Sequence, residues 1–473
     1  MKLSKKILSF TMMFALTASM NGFAASTAPT KTAVAITTPP TVVSPIGSSD
    51  LLKSVGGFLR KQNNKKIALR GVNLGGWLVQ ESWMCPVNGA DKAWANLDSI
   101  NALSARFTKK QVQKLFDTYQ DNWITVTDLD NLEAMHVNCV RVPFWYRNFM
   151  NADGTWITGS NLATNPGIKK LDWIIKECGK RGIYVILDCH GAPGGQSLDH
   201  STGTLGKNEL YDSPTDRAIF ADMWTKIATR YKESPVVAAY DIMNEPQNNG
   251  NTTVANGWAA GSDAALTRTY SVYNQLYKAI RAVDPTHVIS MEAIWTGTCL
   301  PDPKIYGWTN LLYQMHLYDT TKSMIDTRVN ELINFQTQYG VAAYAGEFNL
   351  GDTNEEYGID KLNKAGISWT SWTYKGARQD VGNNWFLYVA QKPVADTTKD
   401  SFETIKAKWG SQIQTSSFAR NTSTVYAWIT EGIASATKVW SRECNKLNTT
   451  NSSKRLYDSN KISKSYRSYS NSK

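Results

Sequence analysis

The sequence is poor in histidine and cysteine, and it lacks any unbroken apolar stretch of membrane-spanning length. Five histidines are few donors for a multi-imidazole metal centre, and neither an HExxH nor a CxxC spacing occurs. No metal and no cofactor is therefore expected. Six cysteines scattered without pattern over 473 residues do not impose a disulfide framework. Cys139 and Cys189 lie inside apolar runs and read as small buried residues. No apolar run reaches the roughly 18 residues of a membrane helix, so no membrane span is expected. No GxGxxG or phosphate-binding loop follows any strand-like run, which argues against an open doubly wound sheet. A charged fraction of 19% beside a hydrophobic fraction of 42% excludes a disordered or fibrous chain.

Seventeen Trp and 21 Tyr are a heavy aromatic load, suited to an apolar core and to sugar rings or bases. The formal charge of +11 first points to an acidic partner, but its position argues otherwise. Met1 to Ala25 carry +3, Ser26 to Arg70 carry +6 and Ser453 to Lys473 carry +5, leaving −3 for Gly71 to Ser452. The body is mildly acidic, and no nucleic-acid partner is expected.

Lys2, Lys5 and Lys6 followed by the apolar run Ile7 to Met20, with small residues near Ala24, have the layout of a secretory signal. Residues 1–25 are thus expected to direct export, giving a secreted protein. Residues 26–50, rich in Thr and Pro, read as a disordered linker, and 51–444 as one catalytic domain. The Asn-, Ser- and Lys-rich residues 445–473 read as a basic disordered tail. The tail is expected to be a solvated extension, with weak attachment to an acidic cell wall as its other reading. A monomer is expected.

Between Ile67 and Lys375, eight short apolar runs alternate with amphipathic helical stretches. The runs are Ile67–Gly76, Val137–Phe144, Gly182–His190, Val236–Pro246, His287–Ala293, Asn310–Tyr318, Val341–Asn349 and Gly366–Lys375. Several lack two-residue alternation, as expected of parallel strands buried on both faces. Helical spacing places Ile168, Leu171, Ile174 and Ile175 on one face, and Val272, Leu276, Tyr277 and Ile280 on another. The pattern predicts an α/β fold, a (β/α)8 TIM barrel with enlarged βα loops. The residues after Lys375 read as completing the last helix and running into the tail.

In that architecture the chemistry sits where strands end. Those ends carry Arg141, His190, Asn244 with Glu245, Glu292, His316 with Tyr318, Glu347 and Trp372. Singly, each has an ordinary structural explanation. Together, so many charged or imidazole groups aimed at one pocket are costly to bury unless they pair and act. Glycosidic cleavage with retention needs a protonated carboxylic acid and an ionised carboxylate about 5 Å apart. Carboxylates at the ends of strands four and seven would face each other across the barrel mouth.

Asn244-Glu245-Pro246, together with Gly346-Glu347 at the seventh strand, resembles glycoside hydrolase family 5, over about Leu69 to Lys375. The resemblance implies Glu245 as general acid/base and Glu347 as nucleophile. It matches Arg141, His190, Asn244, His316, Tyr318 and Trp372 to the family's recurrent active-site positions. On this reading Arg141 holds Glu347 ionised, Tyr318 donates to it, and Asn244 binds the sugar 2-hydroxyl. His190 and His316 bind other hydroxyls, and Trp372 offers a stacking face. Glu292 is read as a substrate-binding or Arg-pairing residue. The segments from Arg70 to Val79 and from His190 to Gln196 resemble the exo-β-1,3-glucanase branch. A polysaccharide substrate, a β-1,3- or β-1,4-glucan, is implied. Cellulase or mannanase specificity, a non-catalytic glycan-binding barrel and a metal-dependent hydrolase using His190 and His316 are the alternatives.

Overall fold

Eight strands form a closed, all-parallel barrel in the computed structural model. They are β1 (Arg70–Asn73), β2 (Cys139–Trp145), β3 (Tyr184–Gly191) and β4 (Val237–Asp241), then β5 (Val288–Glu292), β6 (Leu311–Leu317), β7 (Ala342–Phe348) and β8 (Ser368–Ser371). Residues 45–421 and residue 429 are described, apart from 89–93, 160, 248–261, 295, 352 and 379–384. The segment expected to direct export (1–25), most of the expected linker and the expected basic tail (445–473) lie outside them. Trp369 pairs with Arg70, so β8 returns to β1 and leaves no barrel edge. The (β/α)8 expectation holds: six predicted runs contain their strand whole, and β2 and β3 each extend one residue past theirs, to Trp145 and Gly191.

Strand residues are buried throughout β2, β3 and β7, because helices cover one face and the barrel interior fills the other. The helices begin where side chains supply the missing acceptors. Asn165 caps Pro166–Lys180 by accepting from the N–H of Gly167 and Ile168, and Ser262 caps Asp263–Arg281. The predicted apolar faces of both helices are buried.

Two features were not expected. Lys53–Val55 and Phe58–Arg60 form an antiparallel hairpin. Gly56 and Gly57 make its two-residue turn with φ of +61° and +81°, a pair of values that favours glycine at both positions. Leu52 and Leu59 join Leu69, Ile186, Leu312 and Tyr344 in an apolar cluster separate from the main core, which the hairpin helps to close. The second feature follows β8. Residues after Trp372 build a three-stranded sheet from Lys375–Gly376, Tyr388–Val389 and Ala419–Arg420, with a helix at Phe402–Lys408. This replaces the simple last helix expected there. Trp409 packs on Phe116 and Tyr119 at 5.6 and 5.4 Å between ring centres, which fastens this segment to the barrel's helices.

Cys85, Cys139, Cys178, Cys189 and Cys299 are buried thiols without disulfides. No described helix is long and apolar enough to cross a membrane.

Candidate active site

The strand ends converge on Arg141, which lies in the middle of β2 and is fully buried. Its Nη1 donates to Glu347 Oε1 at 2.6 Å and to Asn73 Oδ1 at 3.1 Å. Its Nη2 donates to Asn244 Oδ1 at 2.8 Å, and its Nε to Asp241 Oδ2 at 2.8 Å. Asp188 Oδ1 lies 3.0 Å from Nη2 as a further ion pair. Burial opposes the guanidinium charge, but Asp188, Asp241 and Glu347 outweigh it and lift its pKa further above the ordinary value.

Glu347, near the end of β7, is 4% exposed. Its second oxygen accepts from the Tyr318 hydroxyl at 2.7 Å. Both oxygens of this carboxylate are therefore held by donors, one cationic and one neutral.

Glu245 does not lie on a strand. The β4 ladder ends at Asp241, and the chain turns through Glu245 at φ +39° before Pro246. Its side chain keeps 24% of its surface open. Burial still raises its pKa, against the pull of the His190 and Arg141 charges and with a contribution from Asp199. His316 Nδ1 stands 3.0 Å from Glu245 Oε1 and 3.5 Å from Glu347 Oε2. One imidazole nitrogen thus touches both carboxylates. The two oxygens can be no farther apart than those two distances end to end, which is the lower edge of the separation that inverting pairs require. Burial lowers the His316 pKa to about 4, so the ring is neutral.

His190 is buried and its Nδ1 lies 2.8 Å from Asp188 Oδ2. Burial would lower its pKa, but the Asp188 charge and hydrogen bond lift it to about 9. Its ring stacks on Trp372 at 5.4 Å and 7°, which fixes the Trp372 face one residue past β8. Trp369, three residues earlier, is fully buried and donates to Asn363, so Trp372 is the tryptophan of this site. Gln196 Nε2 bridges the carbonyls of His190 and Asn244 at 2.9 Å each and ties the loops after β3 and β4 together.

Every predicted residue reaches this one cluster, but Glu292 does not pair with the arginine there. Arg141 is occupied by Asp188, Asp241 and Glu347. Glu292 Oε2 instead accepts the main-chain N–H of Glu245 at 2.7 Å and lies 3.4 Å from His316 Nε2. Glu81, in the loop after β1, was not anticipated. It is 5% exposed, with its pKa raised by burial while His200 and His190 pull it down and Glu347 adds to the rise. Its position two residues beyond the Arg70–Val79 segment was the available signal. Trp83 donates to Glu81 at 2.9 Å, and Trp83 and Tyr318 flank Trp385 at 5.5 and 5.7 Å, giving an aromatic wall.

Among the described residues, Glu245, Glu292 and His316 are the one group whose donor atoms, all within 4.8 Å of one another, could gather round a metal ion. In the structure His316 meets the other two through different ring nitrogens, Nδ1 at 3.0 Å from Glu245 and Nε2 at 3.4 Å from Glu292.

Residues 95–378 match the family model described as Cellulase (glycosyl hydrolase family 5). A protein named beta-xylosidase from Phanerodontia chrysosporium is 26% identical over 381 residues, covering 72% of this chain and 73% of that one. A protein named glucan 1,3-beta-glucosidase from Blumeria graminis is 34% identical over 197 residues, 40% of this chain and 43% of the relative. The chain thus spans under half of that relative's length. Among solved structures, an endogalactoceramidase superposes with a TM-score of 0.53 at 14% identity, over 76% of this chain and 84% of the other. That likeness is one of fold.

Proposed function

The chain belongs to glycosyl hydrolase family 5, and on that premise we propose that it cleaves β-glucosidic bonds of a polysaccharide with retention of configuration. Glu347 is the nucleophile and Glu245 the general acid/base. The observation that carries this reading is the single His316 nitrogen within hydrogen-bond or near-contact distance of both carboxylates.

The first step forms a bond from Glu347 to the anomeric carbon and breaks the bond to the leaving oxygen, which takes the proton of Glu245. The second step returns that proton site to service: Glu245 accepts a proton from water, and the water oxygen displaces Glu347. Arg141 and Tyr318 hold and aim the Glu347 carboxyl by donating to its two oxygens. Arg141 also occupies Oδ1 of Asn244, leaving the amide N–H₂ to donate to the sugar 2-hydroxyl. The charged His190 and the Trp372 face bind and stack the same sugar. The glucan 1,3-beta-glucosidase relative and the Arg70–Val79 and His190–Gln196 segments favour a β-1,3-glucan.

We further infer that residues 1–25 direct export, that 26–50 and 445–473 flank a catalytic domain at 51–444, and that the enzyme works as a monomer with at most weak wall attachment. The basic, then apolar, start of the chain supports export.

A 2-deoxy-2-fluoro-β-glucosyl inactivator with a good leaving group should label the enzyme covalently. Peptide mass spectrometry should place the ester on the peptide holding Glu347. A label on Glu292, or an inverted first product by NMR, would overturn the assignment.

A further inference from the structure

Glu292 is the third carboxyl of the site, and its surroundings fit neither a sugar ligand nor an arginine partner. It closes β5 and is 1% exposed, so almost none of its surface is open to the cleft. One oxygen, Oε1, is buried with no hydrogen-bond partner among the described residues. The other accepts the main-chain N–H of Glu245 at 2.7 Å. That N–H belongs to a residue with φ +39°, a left-handed conformation a glutamate does not hold without outside help. The same oxygen sits 3.4 Å from His316 Nε2, and the opposite ring nitrogen meets Glu245 Oε1 at 3.0 Å. The chain at Glu292 is itself fixed, because the Tyr273 hydroxyl donates to its carbonyl at 3.0 Å and takes its N–H at 3.2 Å.

We propose that Glu292 is a positioning residue for the acid/base: it grips Glu245 by its main chain and so sets where the carboxyl head stands. The inference rests on the reading of Glu245 as acid/base. A general acid works only within hydrogen-bond reach of the leaving oxygen. Main-chain bonds fix the turn as far as Asn244, whose N–H donates to the Cys189 carbonyl at 3.0 Å, and Glu292 takes the next N–H, that of Glu245 itself. With the anchor gone, the strained backbone relaxes and the carboxyl leaves its place, while Glu347, held by Arg141 and Tyr318, stays.

The test compares Glu292→Leu, which removes the acceptor, with Glu292→Gln, which keeps an oxygen for the N–H, in the full-length enzyme. Glu292→Leu should lower kcat on the preferred glucan by about 100-fold, the effect of a misplacement near 1 Å, with KM within about threefold. Labelling of Glu347 by the activated 2-fluoro glycoside should continue within about threefold of the wild-type rate, since that leaving group needs no proton. Azide should restore turnover of the dinitrophenyl glucoside by the Leu variant, replacing the water that Glu245 no longer activates. Glu292→Gln should keep kcat within about fivefold of wild type. A raised KM at unchanged kcat would make Glu292 a sugar ligand and overturn the proposal. Equal loss of glucan turnover and of Glu347 labelling would reduce it to general structural support. Failure to label the wild type at all would overturn the catalytic reading itself, and the anchor role with it.

Discussion

Arg141 has five N–H donors and meets five side-chain oxygens, from Asn73, Asp188, Asp241, Asn244 and Glu347. Its pairing with Glu347 was legible in the sequence, because each is the lone charge of an apolar run and the two oppose each other in sign. Asp188 and Asp241 were passed over, each being a single acid inside a run read as buried strand. An acid in such a run is itself a signal, since burial demands a cation. Asp188 illustrates the consequence. It holds the proton on His190, whose pKa of about 9 exceeds the ordinary value near 6.5. A folded value above the unfolded one adds stability that is complete below about pH 6.5 and is lost as pH rises through 9. Asp188→Asn removes that anion and its hydrogen bond, leaving burial and the Arg141 charge to lower the pKa against the Glu347 charge. His190 should then titrate below 6.5, and activity at neutral pH should fall as the charged donor disappears. NMR titration of the imidazole decides it: a value still near 9 would clear Asp188 of this role.

At the level of elements, strand order and barrel closure followed from apolar runs, but the ends of the strands did not. Apolar character continues through Ile242 and Met243, so the run after Val236 gave no sign that the ladder stops at Asp241. The Gly56-Gly57 hairpin was missed because its strands are only three residues each, too short for a periodic signal. The segment after β8 was missed because its sheet strands are two residues long and its contacts are non-local. Lys375 fastens that segment. Its ammonium is fully buried and donates to the carbonyls of Trp123 and Ile413 and to Thr415 Oγ1, the last two at 2.9 Å. The rings of Trp123 and Phe418 lie 4.6 and 5.0 Å from it. Burial lowers its pKa to about 8, below the unfolded value near 10.4. The unfolded chain therefore binds more protons between those values, and this group adds stability as pH rises through them. Lys375→Met leaves the three acceptors short of a donor, at about 1–3 kcal/mol. The wild type should exceed the variant in urea unfolding, and by more at about pH 10 than at pH 7. A gap that stays constant with pH would mean that the amine is not charged and buried as described.

The whole molecule presents a cleft in which two carboxyls need opposite protonation, and the substrate itself alters one of them. Glu245 must carry a proton when the glycosidic oxygen leaves, and burial has already raised its pKa from the ordinary glutamate value. Activity should fall as pH rises through that value, because the ionised form cannot donate. In the free enzyme 24% of the Glu245 side chain still faces open cleft, while Glu347 has 5%. A bound glycan covers that opening and removes water from the acid, which penalises its charged form further. The alkaline limb of kcat/KM reports the free enzyme and that of kcat the complex. The limb in kcat should therefore lie at higher pH than the limb in kcat/KM on the same glucan. Where the leaving group is dinitrophenolate, bond breaking needs no proton, and the limb set by Glu245 should vanish from kcat/KM, leaving only the fall near 9 where His190 loses its charge. Coincident limbs on the glucan would show that substrate does not dehydrate Glu245. An alkaline limb that keeps its place with the activated glycoside would assign that ionisation to another group, with the charged His190, near 9, the first to test by Asp188→Asn.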